Sequence, residues 1–449
     1  MPIEIFAVGG YGEVGKNMTA VKIDEEIVIF DMGLHLPNYI RYTEEEGEDV
    51  VKTSGDALRR VHAVPDDRQI EKLLEKKGKV IAIIPTHAHL DHIGAIPYLA
   101  AKYNAPIICT PFTAAVINSI LRDEKIKIPN KIVVLNPNSS TKLGKRMTLD
   151  FINITHSTPQ TVVALLKTRH GNILYANDFK LDNNPLLGKK PNYDALRAAG
   201  EEGITVAIMD TLYAYDARKT PSEAVAREML RDVMLGVDSR KKAIIITTFS
   251  SHIARLKSII EFGKQLKRKI VFLGRSLAKY SFAAEDADIA YFSKEADIAK
   301  YGKQSREKLS RVMKDGKDKY LLVVTGHQGE PKSTLSRMVA GTLPFEFSPE
   351  DHVIFSSSII PTSINREMRG RMEEELKRKG VRLFTDIHVS GHASREDLRD
   401  FVNMTKPEHL IPAHSERKSI DAFIQLAEEM GYEKGKSVHP MLSGQTLVL

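Results

Sequence analysis

The chain has 449 residues, with 65 Lys and Arg against 58 Asp and Glu and a formal net charge of +7 at pH 7. Hydrophobic residues make up 42% and charged residues 27%, an ordinary balance for a soluble globular chain of roughly two or three domains. No run approaches the roughly eighteen apolar residues of a membrane span. The single cysteine, Cys109, excludes an internal disulfide and fits a reducing compartment such as the cytoplasm. The small basic surplus is compatible with a polyanionic partner without requiring one.

In chain order, residues 1–35 read as closely spaced strands at 3–8, 18–23 and 27–30. Between the first two, Gly10-Tyr11-Gly12-Glu13-Val14-Gly15-Lys16 fits both GxGxxG and GxxxxGK. A phosphate loop of either kind needs a helix directly after it. Here Asn17 is followed by the strand-like Met18-Thr19-Ala20-Val21-Lys22-Ile23, so the segment reads as a tight glycine turn. Gly33 also reads as a turn glycine rather than a contact. The acidic stretch 34–65 is long for a connection in a compact domain, and reads equally as a lid, an oligomer contact or a surface loop. Helices are expected over 69–77 and 93–103, and strands over 131–135, 147–154 and 162–166, with a further apolar run over 171–178 that ends in an aspartate. Cys109, in the apolar stretch 106–109, is expected in the core.

The apolar strand 80–84 runs into His87-Ala88-His89-Leu90-Asp91-His92. A lone HxH is usually a solvated loop. Four ligand-type residues in HxHxDH order after a strand point instead to a metal site, and imidazole with carboxylate suits zinc or manganese. His87 and His89 can aim at one ion, and Asp91 and His92 at a second. Two metals need about six to eight protein ligands. His156, Asp178 and His414 are the remaining candidates. Each alone would pass for a structural residue, but each follows an apolar strand-like run, as a ligand at a sheet edge should.

Residues 211–364 repeat a strand–helix pattern. Strands at 243–248, 270–273 and 320–325 lead into helices at 252–266, 277–285 and 333–340, which implies a mainly parallel sheet covered on both faces. The helix 366–379 and the strand 381–384 then return the chain towards its first domain. The division expected is 1–208 and 365–449 for one domain, with 209–364 inserted.

The ordered ligand set resembles the metallo-β-lactamase superfamily, whose motifs are matched by HxHxDH at 87–92, His156 and Asp178. Asp210 at a strand end, His388-Val389-Ser390-Gly391-His392 and Pro412-Ala413-His414 resemble the β-CASP nuclease branch. Within it, Val324-Thr325-Gly326-His327-Gln328-Gly329-Glu330-Pro331 and HVSGH are similar to ribonuclease J. With no KH-type extension before the first strand and no further domain after His414, the compact archaeal form is expected.

The resemblance implies an α/β architecture: an αββα metallo-β-lactamase sandwich with an inserted β-CASP domain. It implies two divalent cations, Zn2+ or alternatively Mn2+, which lower the pKa of a shared water and neutralise phosphodiester charge. One cation falls to His87, His89 and His156 and the other to Asp91, His92 and His414, with Asp178 bridging. Asp91 and His392 are the catalytic candidates, His392 as general acid or phosphate clamp. Asp210 is expected to orient a histidine, or else to cap a strand. The implied partner is single-stranded RNA with a 5′-monophosphate, held by Ser250, Ser251 and His252 at a helix N-terminus and by His388, Val389, Ser390, Gly391 and His392. A serine N-cap explains the first of these segments as readily. The activity implied is 5′→3′ exoribonucleolysis in RNA decay and maturation, by a cytoplasmic homodimer. A β-CASP endoribonuclease is the alternative, and a small-molecule metallohydrolase would have no use for the insert.

Overall fold

The computed structural model describes residues 3–45, 53–75, 78–360 and 363–449. By packing, the chain forms two compact units. The first comprises 1–183, 188–220 and 391–449, and the second 184–187 and 221–390. The exchange points thus fall later than the 208/209 and 364/365 read from the sequence. The strand Val206–Asp210 pairs within the first unit, and Arg382–Phe384 pairs within the second.

The first unit holds two sheets. One contains β1 (Ile3–Gly9), β2 (Met18–Ile23), β3 (Glu26–Phe30), β4 (Lys79–Ile84), β5 (Ile107–Cys109) and β6 (Ile132–Val134). The other contains β7 (Ser140–Leu143), β8 (Met147–Asn153), β9 (Val162–Thr168), β10 (Gly171–Ala176) and β11 (Val206–Asp210). The second unit carries a six-stranded sheet of β12 (Ile244–Thr247), β13 (Lys269–Leu273), β14 (Asp297–Ala299), β15 (Tyr320–Val324), β16 (His352–Phe355) and β17 (Arg382–Phe384). β18 (His409–Ala413) then joins the second sheet beside β11, and β19 (Thr446–Val448) edges the first beside β1.

Strand alternation explains the layering. Ile173 and Tyr175 of β10 enter the core shared with Ile5, Val21 and Phe30 of the first sheet. Leu174 and Ala176, pointing the other way, pack in a second core with Leu196, Phe401 and Phe423 of three helices. A strand buried on both faces must be apolar throughout, which is why 173–176 reads as a continuous run rather than an alternation. The helix Pro111–Asp123 buries Phe112, Val116 and Ile117. The result is the αββα sandwich. In the second unit every strand pairing is parallel.

The acidic stretch is partly helical, with Leu36–Glu45 and Gly55–Arg60 as helices. The acidic positions Glu46, Glu48 and Asp49 lie outside the described residues, as do 76–77 at the end of the expected helix 69–77. No helix among the described residues is long and apolar enough to cross a membrane.

Candidate metal centre

Strand direction gathers the site. β3 and β4 run parallel, as do β10, β11 and β18. Asp31, Thr86-His87, Asp178, Asp210 and His414 lie at or just beyond the carboxyl ends of these strands, the edge at which open α/β sheets present functional groups. Asp31, Asp178 and His414 all adopt positive φ, at 56°, 58° and 53°. Non-glycine residues in this region cost of order 1 kcal/mol or more, and they concentrate at functional sites.

The expected ligands converge in two sets. The donor atoms of His87, His89, His156 and Asp178 lie within 4.8 Å of one another, as do those of Asp91, His92 and His414. Asp178 Oδ2 lies 3.5 Å from His87 Nε2, 3.6 Å from His156 Nε2 and 3.2 Å from His92 Nε2, while Oδ1 lies 3.8 Å from His414 Nε2. The carboxylate therefore faces both sets.

Each imidazole is fixed through its other ring nitrogen. His87 Nδ1 lies 3.2 Å from Thr86 Oγ1, and His156 Nδ1 donates to Gly391 O at 2.7 Å. Ser157 Oγ lies 3.3 Å from His89 Nε2, and His92 Nδ1 donates to Asp31 Oδ2 at 2.8 Å. Ligating histidines are usually tied in this way, which sets both tautomer and ring orientation.

The electrostatics suit a cation. Burial drives His87, His89 and His156 below the usual histidine range, toward the neutral form that can ligate. Burial opposes ionisation of Asp178, but His414 and His92 outweigh it and hold the carboxylate well below its usual range. Asp178 Oδ1 is buried with no hydrogen-bond partner. No Lys or Arg among the described residues forms an ion pair with Asp31, Asp91 or Asp178, so the side chains that can set positive charge against these three carboxylates are imidazoles. The residues present fit divalent metal.

His392 stands beside this pocket. Its ring stacks on that of His414, with centroids 5.5 Å apart at 7°, and its Nδ1 donates to Asp210 Oδ2 at 2.8 Å. Burial would lower its pKa, yet Asp210 and then Asp178 raise it to about 9. Asp210 belongs to neither ligand set and also accepts from Leu212 N at 2.8 Å. His392 does fall in a third donor set with Asp178 and His414.

In the second unit, Ser250, Ser251 and His252 precede the helix Ile253–Gln265, and all three are buried. The N-cap is the histidine rather than a serine. His252 Nδ1 accepts from Arg255 N at 3.3 Å, and its Nε2 lies 3.4 Å from Glu223 Oε2. Ser250 Oγ meets Ser276 Oγ at 2.9 Å. The Phe249 ring lies 4.3 Å from that of His327 and 6.0 Å from that of His388, which brings these segments together. Val389 is buried. The HVSGH motif spans an exchange point: 388–390 belong to the second unit, and Gly391 and His392 to the first.

Sequence reasoning passed over several residues. Asp31 accepts from Thr86 N, Thr86 Oγ1, His92 Nδ1 and Tyr175 OH, and so anchors histidines of both sets. The available signal was a carboxylate directly after an apolar strand, the same pattern as Asp178. Gly33 is a close-approach glycine, not merely a turn: a Cβ there would lie 1.6 Å from Asp91 O. Segment 32–34 runs along 90–92, with Met32 N donating to His92 O and Leu34 N to Leu90 O.

Strand-end imidazoles and carboxylates on an αββα sandwich define a metal-dependent hydrolase of the metallo-β-lactamase class. Comparison with known proteins agrees. Residues 11–234 match the metallo-beta-lactamase superfamily, 241–370 the ribonuclease J beta-CASP domain, and 381–439 the Zn-dependent metallo-hydrolase RNA specificity domain. The chain is 42% identical to ribonuclease J of Methanocaldococcus jannaschii, over 100% of this chain and 99% of that one. It is 39% identical to ribonuclease J of Pyrococcus abyssi, over 99% and 97%, and 32% identical to that of Thermus thermophilus, over 97% and 72%. The chain belongs to the ribonuclease J family. A crystal structure of a protein of unknown function from Enterococcus faecalis V583 shares the fold, with a TM-score of 0.65 at 18% identity over the whole of both chains.

Proposed function

We propose that this metal-dependent ribonuclease hydrolyses single-stranded RNA from a 5′-monophosphate end, releasing nucleotides in the 5′→3′ direction. The observation that carries the hydrolytic part is the pair of donor sets facing one carboxylate, Asp178, with His392 stacked beside them. His87, His89 and His156 would hold one divalent ion and Asp91, His92 and His414 the other, with Zn2+ the best match to this donor set and Mn2+ second. When bound, two such ions lower the pKa of a water toward 7 and neutralise phosphodiester charge.

The chain's own groups do the rest. Asp210 accepts the hydrogen bond from His392 Nδ1–H, so a second proton on that ring sits on Nε2, where it can pass to a leaving ribose oxygen. The tie from His156 Nδ1 to Gly391 O joins a ligand to the residue before His392, so the placement of His156 and of His392 depends on one stretch of backbone. For the 5′ end, Ser250, Ser251 and His388 supply the donors, with His252 bracing them as the helix cap. A homodimer, testable by sedimentation of the purified chain, and a cytoplasmic location complete this reading.

Incubating end-labelled linear RNA beside a circular copy of the same sequence tests it. Mononucleotides from the linear RNA and an intact circle are expected. Internal fragments from the circle would favour an endoribonuclease.

A further inference from the structure

The glycine-rich turn that mimics a phosphate loop has a different use here. It closes over the second ligand set and delivers one side chain into it. Asn17 is 1% exposed. Its Oδ1 lies 3.0 Å from His414 Nδ1, and its Nδ2 lies 2.8 Å from the same nitrogen, 3.0 Å from His92 Nε2 and 3.1 Å from Asp91 O. One amide thus touches all three residues of that set.

The turn's backbone fixes the amide in place. Asn17 N donates to Asp91 O, Gly33 N donates to Asn17 O, and His414 N donates to Gly10 O at 2.7 Å. Gly10, at φ +85°, is required because a Cβ there would lie 2.3 Å from Asn17 Oδ1. Gly10 makes room for the asparagine, not for a phosphate.

We propose that Asn17 is a positioning residue for the second metal site, holding His414 in the tautomer that directs its Nε2 lone pair at the ion. The inference rests on the two-metal reading above. His414 Nε2 faces Asp178 and Asp91, so it ligates only if the ring proton resides on Nδ1. With the proton there, Asn17 Oδ1, 3.0 Å away, is the atom that can accept it. One amide hydrogen then goes to Asp91 O, which steadies the carboxylate-bearing residue of the same set. The other ligating histidines take a carboxylate, a carbonyl or a hydroxyl for this purpose, and His414 takes an amide.

The test uses full-length protein stripped of metal and titrated with Zn2+ alone, with calorimetry for affinity and elemental analysis for stoichiometry. Wild type should take up two ions. Asn17→Ala should keep one ion at wild-type affinity and bind the other roughly 10- to 100-fold more weakly, the usual cost of losing a group that orients a ligand. Retention of the first ion shows that the variant is folded. Asn17→Asp still offers an acceptor to His414 Nδ1 and should bind the second ion more tightly than the alanine variant. Equal weakening of both ions in Asn17→Ala, or no weakening, would overturn the proposal, as would an aspartate variant no better than alanine. Wild type binding fewer than two ions would instead remove the two-metal reading, and this inference with it.

Discussion

Asp210 and His392 lie 182 positions apart in the chain and meet through a 2.8 Å hydrogen bond at the rim of the metal pocket. The pairing places a carboxylate on one nitrogen of an imidazole whose ring stacks on a metal-ligand candidate. It resembles the arrangement by which a positioned acid orients a proton-transferring histidine. His392→Ala should cut turnover by roughly 10²- to 10⁴-fold, the usual contribution of a general acid, with metal content nearly unchanged. Asp210→Asn should cost less. Parallel metal analysis decides the assignment: loss of an ion in His392→Ala would make His392 a ligand, through the set it shares with Asp178 and His414.

Because Asp178 faces both donor sets, its replacement should differ in kind from that of any one histidine. Asp178→Ala should empty both sites and abolish nuclease activity, whereas His414→Ala should lower occupancy at one. Prolonged chelation of the wild type should reproduce the Asp178→Ala phenotype, and added Zn2+ or Mn2+ should reverse it. Elemental analysis showing the same residual metal in Asp178→Ala and His414→Ala would contradict a shared carboxylate.

Much of this site is legible in the sequence because its ligands obey one local rule: an apolar strand, then a histidine or aspartate. His87, Asp178 and His414 all follow it. Asp31 follows it too, but its role depends on Thr86, His92 and Tyr175 closing around it, contacts that span up to 144 positions. Asn17 is hidden for the opposite reason, since it sits in a turn whose glycine spacing imitates another site. The parallel sheet of the second unit follows from its alternating strand and helix runs. Helices such as Glu223–Leu235 are readable only by period, through Ala226, Leu230 and Met234 at four-residue spacing. The Glu223–Arg255 pair beneath the Ser250–His252 turn has no local signature.

That pair makes a stability prediction. Arg255 is fully buried and donates through Nε and Nη2 to Glu223 at 2.6 and 2.8 Å, and through Nη1 to Ser356 Oγ and Ile387 O at 2.7 and 3.0 Å. Removing one partner strands a buried charge, which costs about 3–5 kcal/mol. Glu223→Gln should therefore lower the melting temperature by several degrees, while Glu223→Leu with Arg255→Met should recover part of the loss. Burial raises the Glu223 pKa, but His252 and Arg255 outweigh it and hold the carboxyl well below 4.5. Its contribution is thus complete above the ordinary glutamate range and fades as pH falls through the depressed value. Wild type should lose more stability than Glu223→Gln on acidification below about pH 4. Parallel acid-unfolding curves would contradict this.

The state of the RNA 5′ end should govern the rate. The Phe249 ring lies 6.0 Å from that of His388, Ser250 and Ser251 follow Phe249 in the chain, and His252 is held by Arg255 N and Glu223. A terminal monophosphate carries up to two negative charges and suits a small nest of hydroxyl and N–H donors. A triphosphate brings more charge and bulk than such a nest accommodates, and a 5′ hydroxyl brings no charge for it to bind. Hydrogen bonds to a charged group are worth about 1.5–3 kcal/mol, which corresponds to a roughly ten- to hundredfold loss of rate when the charge is absent. Linear RNAs of one sequence bearing monophosphate, triphosphate or hydroxyl ends should therefore be degraded fastest as the monophosphate. Ser251→Ala should narrow the difference while leaving metal content unchanged. Equal rates on all three ends in the wild type would remove this segment from substrate recognition and leave His252 as a helix cap alone.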